Sequence, residues 1–272
     1  MGKFDGILIC TDLDGTLLRN DKTISRENLR AIEYFKSEGG YFTFVTGRMP
    51  YYSSKVCETI NPNVPFGCAN GGGVFDRISG EYVYKCVMPD EVTELILAVD
   101  EGAPEVGIQI NTFYNAYFCK DSSAMELFRE ITGVPNKKCS YMSVPEPIAK
   151  ILFGSIHEDE IRKTERILKA HPLADKFDFI RSEQMLFEIL PKGIGKGVAI
   201  DKLVEHLKLD ANKTVAIGDY NNDISMFRAA KAGIAVANAC PEALEAADYV
   251  TVSNEEHAVA RVIYEIEKGM YI

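Results

Sequence analysis

A chain of 272 residues, 46% of them apolar, with mixed charge and a formal net charge of -10, is long enough for one sizeable domain or two modest ones, and its composition excludes disorder and collagen-like repeats. The acidic balance excludes a nucleic-acid partner, which would require basic patches. Apolar runs of about five residues fall far short of the roughly 20 that cross a bilayer, so no membrane partner is expected and the chain reads as cytoplasmic.

In chain order, GILIC (residues 6–10) predicts a buried strand. A helix follows over 25–37 with Ser25 as N-cap, then a strand in YFTFV, a helix over 50–60 and a strand in PFGCA. Apolar runs alternating with helices predict a doubly wound parallel sheet covered on both faces. Between about 87 and 190 the rhythm changes. After a helix over 90–100, VGIQI and AYFCK lie on either side of a hairpin-length link, and helices over 123–131 and 159–171 are interleaved with KILFGSI, FDFIR and MLFEIL. Adjacent strands with short links predict an α+β insertion. The first rhythm resumes from 191, with a helix over 196–207, TVAIGD, a helix over 223–232, GIAVA, a short helix over 241–247, YVTV and a terminal helix. Residues 1–86 and 191–272 are thus expected to form an α/β core and 87–190 an inserted cap. The seven cysteines are scattered and never spaced C-x-x-C, which predicts neither a disulfide framework nor a zinc site.

Three apolar strands run into polar residues: Thr11-Asp12-Leu13-Asp14-Gly15-Thr16, Thr46-Gly47-Arg48, and Gly218-Asp219-Tyr220-Asn221-Asn222-Asp223. The carboxyl ends of parallel strands line the ligand crevice of such a sheet. Close carboxylates repel unless a cation lies between them or one is protonated. Asp12, Asp14, Asp219 and Asp223 therefore point to a hard, oxygen-liganded ion, for which Mg²⁺ is suited. Neither aspartate run fits a calcium-loop pattern. Thr46 and Gly47 offer a hydroxyl and a backbone N–H at a helix entrance, where phosphate can sit, and Lys196 between Gly195 and Gly197 offers a cation.

Taken together, ILICTDLDGT, FVTGR, GIGKG and AIGDYNND resemble the four ordered motifs of the haloacid dehalogenase superfamily, and GDYNNDISM with the inserted module resembles its Cof-type branch with a class IIB cap. The resemblance implies Asp12 as nucleophile and Asp14 as general acid and base, with Thr46 and Lys196 holding the transferring phosphoryl group. It implies Asp219 as a magnesium ligand beside Asp12 and the backbone carbonyl of Asp14, with Asn222 and Asp223 as helpers near metal and phosphate. An acid two residues after the nucleophile favours phosphate esters over halides, because an alkoxide leaving group needs a proton. The expected function is Mg²⁺-dependent hydrolysis of small phosphomonoesters, sugar phosphates first and cofactor phosphates such as those of pyridoxal or flavin next. A phosphotransferase or mutase using the same aspartyl-phosphate, and a non-catalytic metal- or phosphate-binding regulator, remain as alternatives.

Overall fold

Leu8–Thr11 form β1 because every residue of the stretch has somewhere apolar to go. Ile9 joins a cluster on one face of the sheet, with Phe42, Phe44 and Val215, whereas Leu8 and Cys10 join another on the opposite face, with Val45 and Ala216. This two-sided burial is why the strand reads as an unbroken apolar run. The computed structural model describes residues 2–133, 135 and 137–272. They divide into two units, one comprising the chain up to Tyr84 with Gly195–Ile272, the other Lys85–Ile194.

In the first unit, α1 (Arg26–Ser37) is capped by the Ser25 hydroxyl, which accepts from the Asn28 amide. β2 (Tyr41–Phe44) pairs parallel with β1, and α2 (Pro50–Ile60) begins on proline, whose missing N–H costs nothing at a first helical position. β3 (Phe66–Cys68) lies parallel beside the end of β2, through a bridge between Val45 and Gly67 and the Thr46 amide, which donates to the Gly67 carbonyl at 3.0 Å. β3 also pairs antiparallel with β4 (Gly73–Asp76), which with β5 (Glu81–Lys85) makes a small separate sheet. The reversal is made by Ala69, Asn70 and Gly71, all with left-handed backbone (φ 51°, 54° and 92°). Asparagine and glycine tolerate that region; alanine rarely enters it.

The second unit carries α3 (Val92–Gly102), β6 (Gly107–Thr112), β7 (Ala116–Lys120), α4 (Ser123–Thr132), β8 (Ile148–Gly154), α5 (Glu158–Ala170), β9 (Phe177–Glu183) and β10 (Leu186–Pro191). Its five strands form an antiparallel sheet in the order β7-β6-β8-β10-β9, and α3 and α5 contribute Val92, Leu95, Ile96, Val99, Ile161 and Leu168 to the core beneath it. The expected hairpin joins β6 to β7. At its tip the Glu146 carboxylate accepts from the Thr112 hydroxyl, from Asn115 Nδ2 at 2.6 Å and from the Tyr117 hydroxyl at 2.9 Å. Asn115 thus braces the turn itself.

The chain returns to the first unit through α6 (Lys196–Leu207), β11 (Thr214–Gly218), α7 (Ile224–Ala229), β12 (Ala232–Ala235), α8 (Pro241–Ala246), β13 (Tyr249–Val250) and α9 (Ala258–Glu267). The sheet is parallel throughout in the order β13-β12-β11-β1-β2. A 3-10 turn over Asn221–Asp223 precedes α7, which ends three residues before the expected limit because β12 begins at Ala232. Among the described residues no helix is long and apolar enough to cross a membrane.

Candidate active site

β1 and β11 are neighbours in parallel register, so the segments that leave them emerge side by side at one edge of the sheet. The Asp12 amide donates to the Ile217 carbonyl at 2.8 Å, fixing the first residue after β1 against the end of β11. Asp12, Asp219 and Asp223 each bring a carboxylate oxygen within 4.8 Å of the others.

Lys196 reaches this cluster from the first position of α6. It is 1% exposed, and its Nζ donates to Asp12 Oδ1 and to Asp223 Oδ1, both at 2.6 Å. Its neighbour Gly197 allows the approach: a Cβ there would lie 2.3 Å from the Ser225 carbonyl oxygen, so any larger residue would push α6 off α7. Asp223 is occupied on both oxygens, since its Oδ2 accepts from the amides of Asp219 and Tyr220 at 2.9 and 3.0 Å. It holds the lysine with one oxygen and the turn after β11 with the other. Asp219 is held by the Thr16 hydroxyl on Oδ1 at 2.8 Å. Among the described residues, Oδ2 of Asp12 and Oδ2 of Asp219 accept no hydrogen bond.

Three carboxylates around one ammonium leave the cluster with surplus negative charge in a buried place. Burial raises Asp12 above the usual carboxylate range despite Lys196, and the charges of Asp223 and Asp219 raise it further. Burial and Asp223 push Asp219 up to about 6. Burial disfavours the Lys196 ammonium, but Asp12 and Asp223 outweigh it and hold the lysine charged. An all-oxygen donor set short of positive charge, with unshared oxygens on Asp12 and Asp219, suits a hard divalent cation.

Asp14 does not place its carboxylate in that cluster. Leu13 is buried, Asp14 and Leu18 form a short parallel bridge, and Gly15 turns the chain at φ 81°, where a Cβ would also strike Asp219 Oδ2 at 2.4 Å. The Asp14 carboxylate meets Arg48 in a two-pronged pair, Nη2 to Oδ1 at 2.9 Å and Nε to Oδ2 at 3.1 Å, and Lys22 Nζ lies 2.9 Å from Oδ1. Burial works against its charge, but Arg48 and Lys22 hold it below the usual range. Neither cation carried a definite role in the sequence. Arg48 stands next to the Thr-Gly pair, and Lys22 lies in a polar turn with no motif to mark it.

Thr46 is buried after β2, and its hydroxyl accepts from the Arg48 amide at 3.2 Å, leaving its proton without an acceptor among the described residues. Gly47 lies against Asn70, whose Oδ1 would be 2.8 Å from a Cβ at that glycine. Asn222 Nδ2 donates to the same oxygen at 3.3 Å. Asn70, on the left-handed loop after β3, therefore links the Thr46-Gly47 segment to the turn after β11. Its neighbour Gly71 sets a Cα so near Gly195 that a Cβ would lie 2.0 Å from the Gly195 carbonyl oxygen. Thr16 and Asn70 are the positioning residues that short-range sequence reading leaves unassigned, although Thr16 sits inside the aspartate motif.

Residues 9–263 match the family model for haloacid dehalogenase-like hydrolases. The chain is 29% identical to the 5-amino-6-(5-phospho-D-ribitylamino)uracil phosphatase YwtE of Bacillus subtilis, over 97% of this chain and 99% of that protein. It is 28% identical to a second phosphatase of the same description from that organism, YitU, over 95% of this chain and 96% of that one. The crystal structure of a haloacid dehalogenase-like hydrolase from Bacteroides thetaiotaomicron superposes with a TM-score of 0.86 at 26% identity, over 96% of this chain and 99% of that chain.

Proposed function

The chain belongs to the haloacid dehalogenase-like hydrolases and is a phosphatase of that family, and from this premise we propose that it hydrolyses small phosphomonoesters, sugar and polyol phosphates first, through an aspartyl-phosphate on Asp12. The observation that carries the reading is the buried Asp12, fixed between Lys196 and the acidic pair Asp219 and Asp223 where two parallel strands end.

In this mechanism Asp14 first takes a proton from solvent and loosens its pairing with Arg48 and Lys22 as substrate enters; an Asp12 carboxylate oxygen then attacks phosphorus, the phosphorus–oxygen bond to the leaving alcohol breaks, and Asp14 gives that oxygen its proton. Asp14, now a carboxylate, takes a proton from the water that attacks the aspartyl-phosphate; phosphate departs and both aspartates return to their starting states. Lys196, the Thr46 hydroxyl and the Gly47 amide hold the phosphoryl oxygens, and Asn222 steadies the same side through Asn70. Asp12, Asp219 and the Asp14 backbone carbonyl would hold Mg²⁺, with Asp223 acting through the turn and the lysine. When bound, the ion supplies charge neutralisation for the phosphoryl group and for the crowded carboxylates.

We assign choice of leaving group to the inserted unit, Lys85–Ile194, acting as a cap, and the chain to the cytoplasm. The ribityl phosphate in the names of two relatives supports a polyhydroxylated leaving group. The test is phosphate release from p-nitrophenyl phosphate and from a panel of sugar, polyol and cofactor phosphates, with Mg²⁺ and with EDTA. Asp12→Asn is expected to abolish turnover on every substrate while leaving the fold intact. A variant that kept near wild-type rate would remove Asp12 as nucleophile, and full activity in EDTA would remove the metal.

A further inference from the structure

None of the described cysteines is in a disulfide, and Cys119 and Cys139 of the inserted unit are brought together by the backbone. Residues 117 and 137 form a parallel bridge, and the Phe118 amide donates to the Lys137 carbonyl at 2.9 Å. Side chains two positions apart on extended backbone return to the same face, so the next same-face pair after 117 and 137 is 119 and 139. The first pair already interacts: Lys137 Nζ lies 5.8 Å from the centre of the Tyr117 ring. In the second, the thiols lie near enough to influence one another electrostatically, the Cys119 thiol donates to the Tyr117 carbonyl at 3.7 Å, and both half-buried side chains pack against the cap core. Residues 119 and 139 lie two positions beyond that isolated bridge, and neighbouring extended segments run about 5 Å apart, inside the span a disulfide bridges.

We propose that Cys119 and Cys139 are a reversible disulfide site, oxidised by low-molecular-weight disulfides and reduced by thiols, which locks the segment leading to Glu146 onto β7. That segment already anchors the hairpin tip at its far end, through the bonds of Glu146 to Thr112, Asn115 and Tyr117. A covalent link at its near end would fix both. The reaction balances as a thiol–disulfide exchange. The thiolate of Cys139 attacks oxidised glutathione, breaking its sulfur–sulfur bond and expelling one glutathione thiolate. Cys119 then attacks the mixed disulfide, expels the second, and its proton passes to the departing thiolate. Burial and the neighbouring thiol push Cys119 up to about 12; the exchange closes the same sulfur–sulfur bond whichever of the two attacks first.

The experiment equilibrates the whole protein in glutathione buffers of graded oxidised-to-reduced ratio, quenches with an alkylating reagent and maps the products by mass spectrometry. The expected result is a peptide pair joined through Cys119 and Cys139 with loss of two hydrogens, reversed by dithiothreitol, and a rise of the apparent Tm by about 5 °C in the linked form. Cys139→Ser should abolish the link, whereas Cys119→Ser should accumulate a glutathione adduct on Cys139. Cys240→Ser should link as the wild type does. Independent alkylation of both thiols at every ratio, a link through another cysteine, or a linked form with unchanged Tm would overturn the proposal.

Discussion

At the scale of single residues, Lys196 is the side chain on which most depends, because among the described residues it is the one cation shared by two buried aspartates. A buried pair adds little beyond its desolvation cost, but deleting one partner strands the other and costs about 3–5 kcal/mol. Lys196→Met strands both Asp12 and Asp223. We expect it to lose stability on that order in urea unfolding monitored by circular dichroism, and to recover part of the loss when Asp223→Asn is added. Near-native stability of the single variant would show that the two aspartates do not need the ammonium. Arg48 differs in kind. Its guanidinium holds a half-exposed carboxylate whose side chain is 41% accessible, so Arg48→Met should leave the unfolding midpoint nearly unchanged. Because the arginine orients Asp14, that variant should lower kcat at least tenfold with a smaller change in KM, measured on p-nitrophenyl phosphate; an equal loss in KM alone would make Arg48 a binder of ground-state phosphate instead.

At the scale of elements, the hairpin between β6 and β7 shows what one carboxylate does for a turn. Burial disfavours the Glu146 charge, but hydrogen bonds from Thr112, Tyr117 and Asn115 outweigh it and lower its pKa in the folded chain. A depressed carboxylate contributes stability that is complete above its unfolded value, near 4.5, and is lost as pH falls through the lower folded value. Amides of residues 112–117 are therefore expected to exchange with deuterium faster, relative to the intrinsic rate, as pH drops below that range. Glu146→Gln should show the faster exchange already at pH 7 and no further acid dependence; identical profiles for the two proteins would remove Glu146 as the brace. The same scale shows what the sequence made legible. Ser25, Pro50 and Lys196 mark helix starts because caps, proline and glycine act within a few residues. The left-handed turn after β3 was hidden at Ala69, a residue that ordinarily avoids that region. In the site, Asp12, Asp219, Asp223 and Lys196 were legible as strand-end and helix-start residues. The pairing of Asp14 with Arg48 and Lys22 was not, because it depends on where separate loops settle after the sheet has formed.

At the scale of the whole molecule, a phosphatase with a formal net charge of -10 must draw an anion toward an acidic protein. The local balance is also unfavourable: the carboxylates of Asp12, Asp14, Asp219 and Asp223 face the cations Lys196, Arg48 and Lys22, one positive charge too few. Long-range repulsion is screened over about 8 Å at physiological ionic strength, so what decides phosphate binding is the charge within that radius. One divalent cation changes the sign of the local sum from negative to positive. Inorganic phosphate should therefore bind measurably by isothermal titration calorimetry in the presence of Mg²⁺ and fall below detection in EDTA, with the difference persisting as salt is raised. Asp219→Asn separates charge from chelation. It removes one negative charge, which by electrostatics alone would favour phosphate without metal, yet it takes away an unshared ligand oxygen. If the ion is what admits the anion, this variant should need a higher Mg²⁺ concentration to reach the same phosphate affinity. If it instead bound phosphate well in EDTA, the acidic cluster would be acting as a simple electrostatic gate and not as a metal seat.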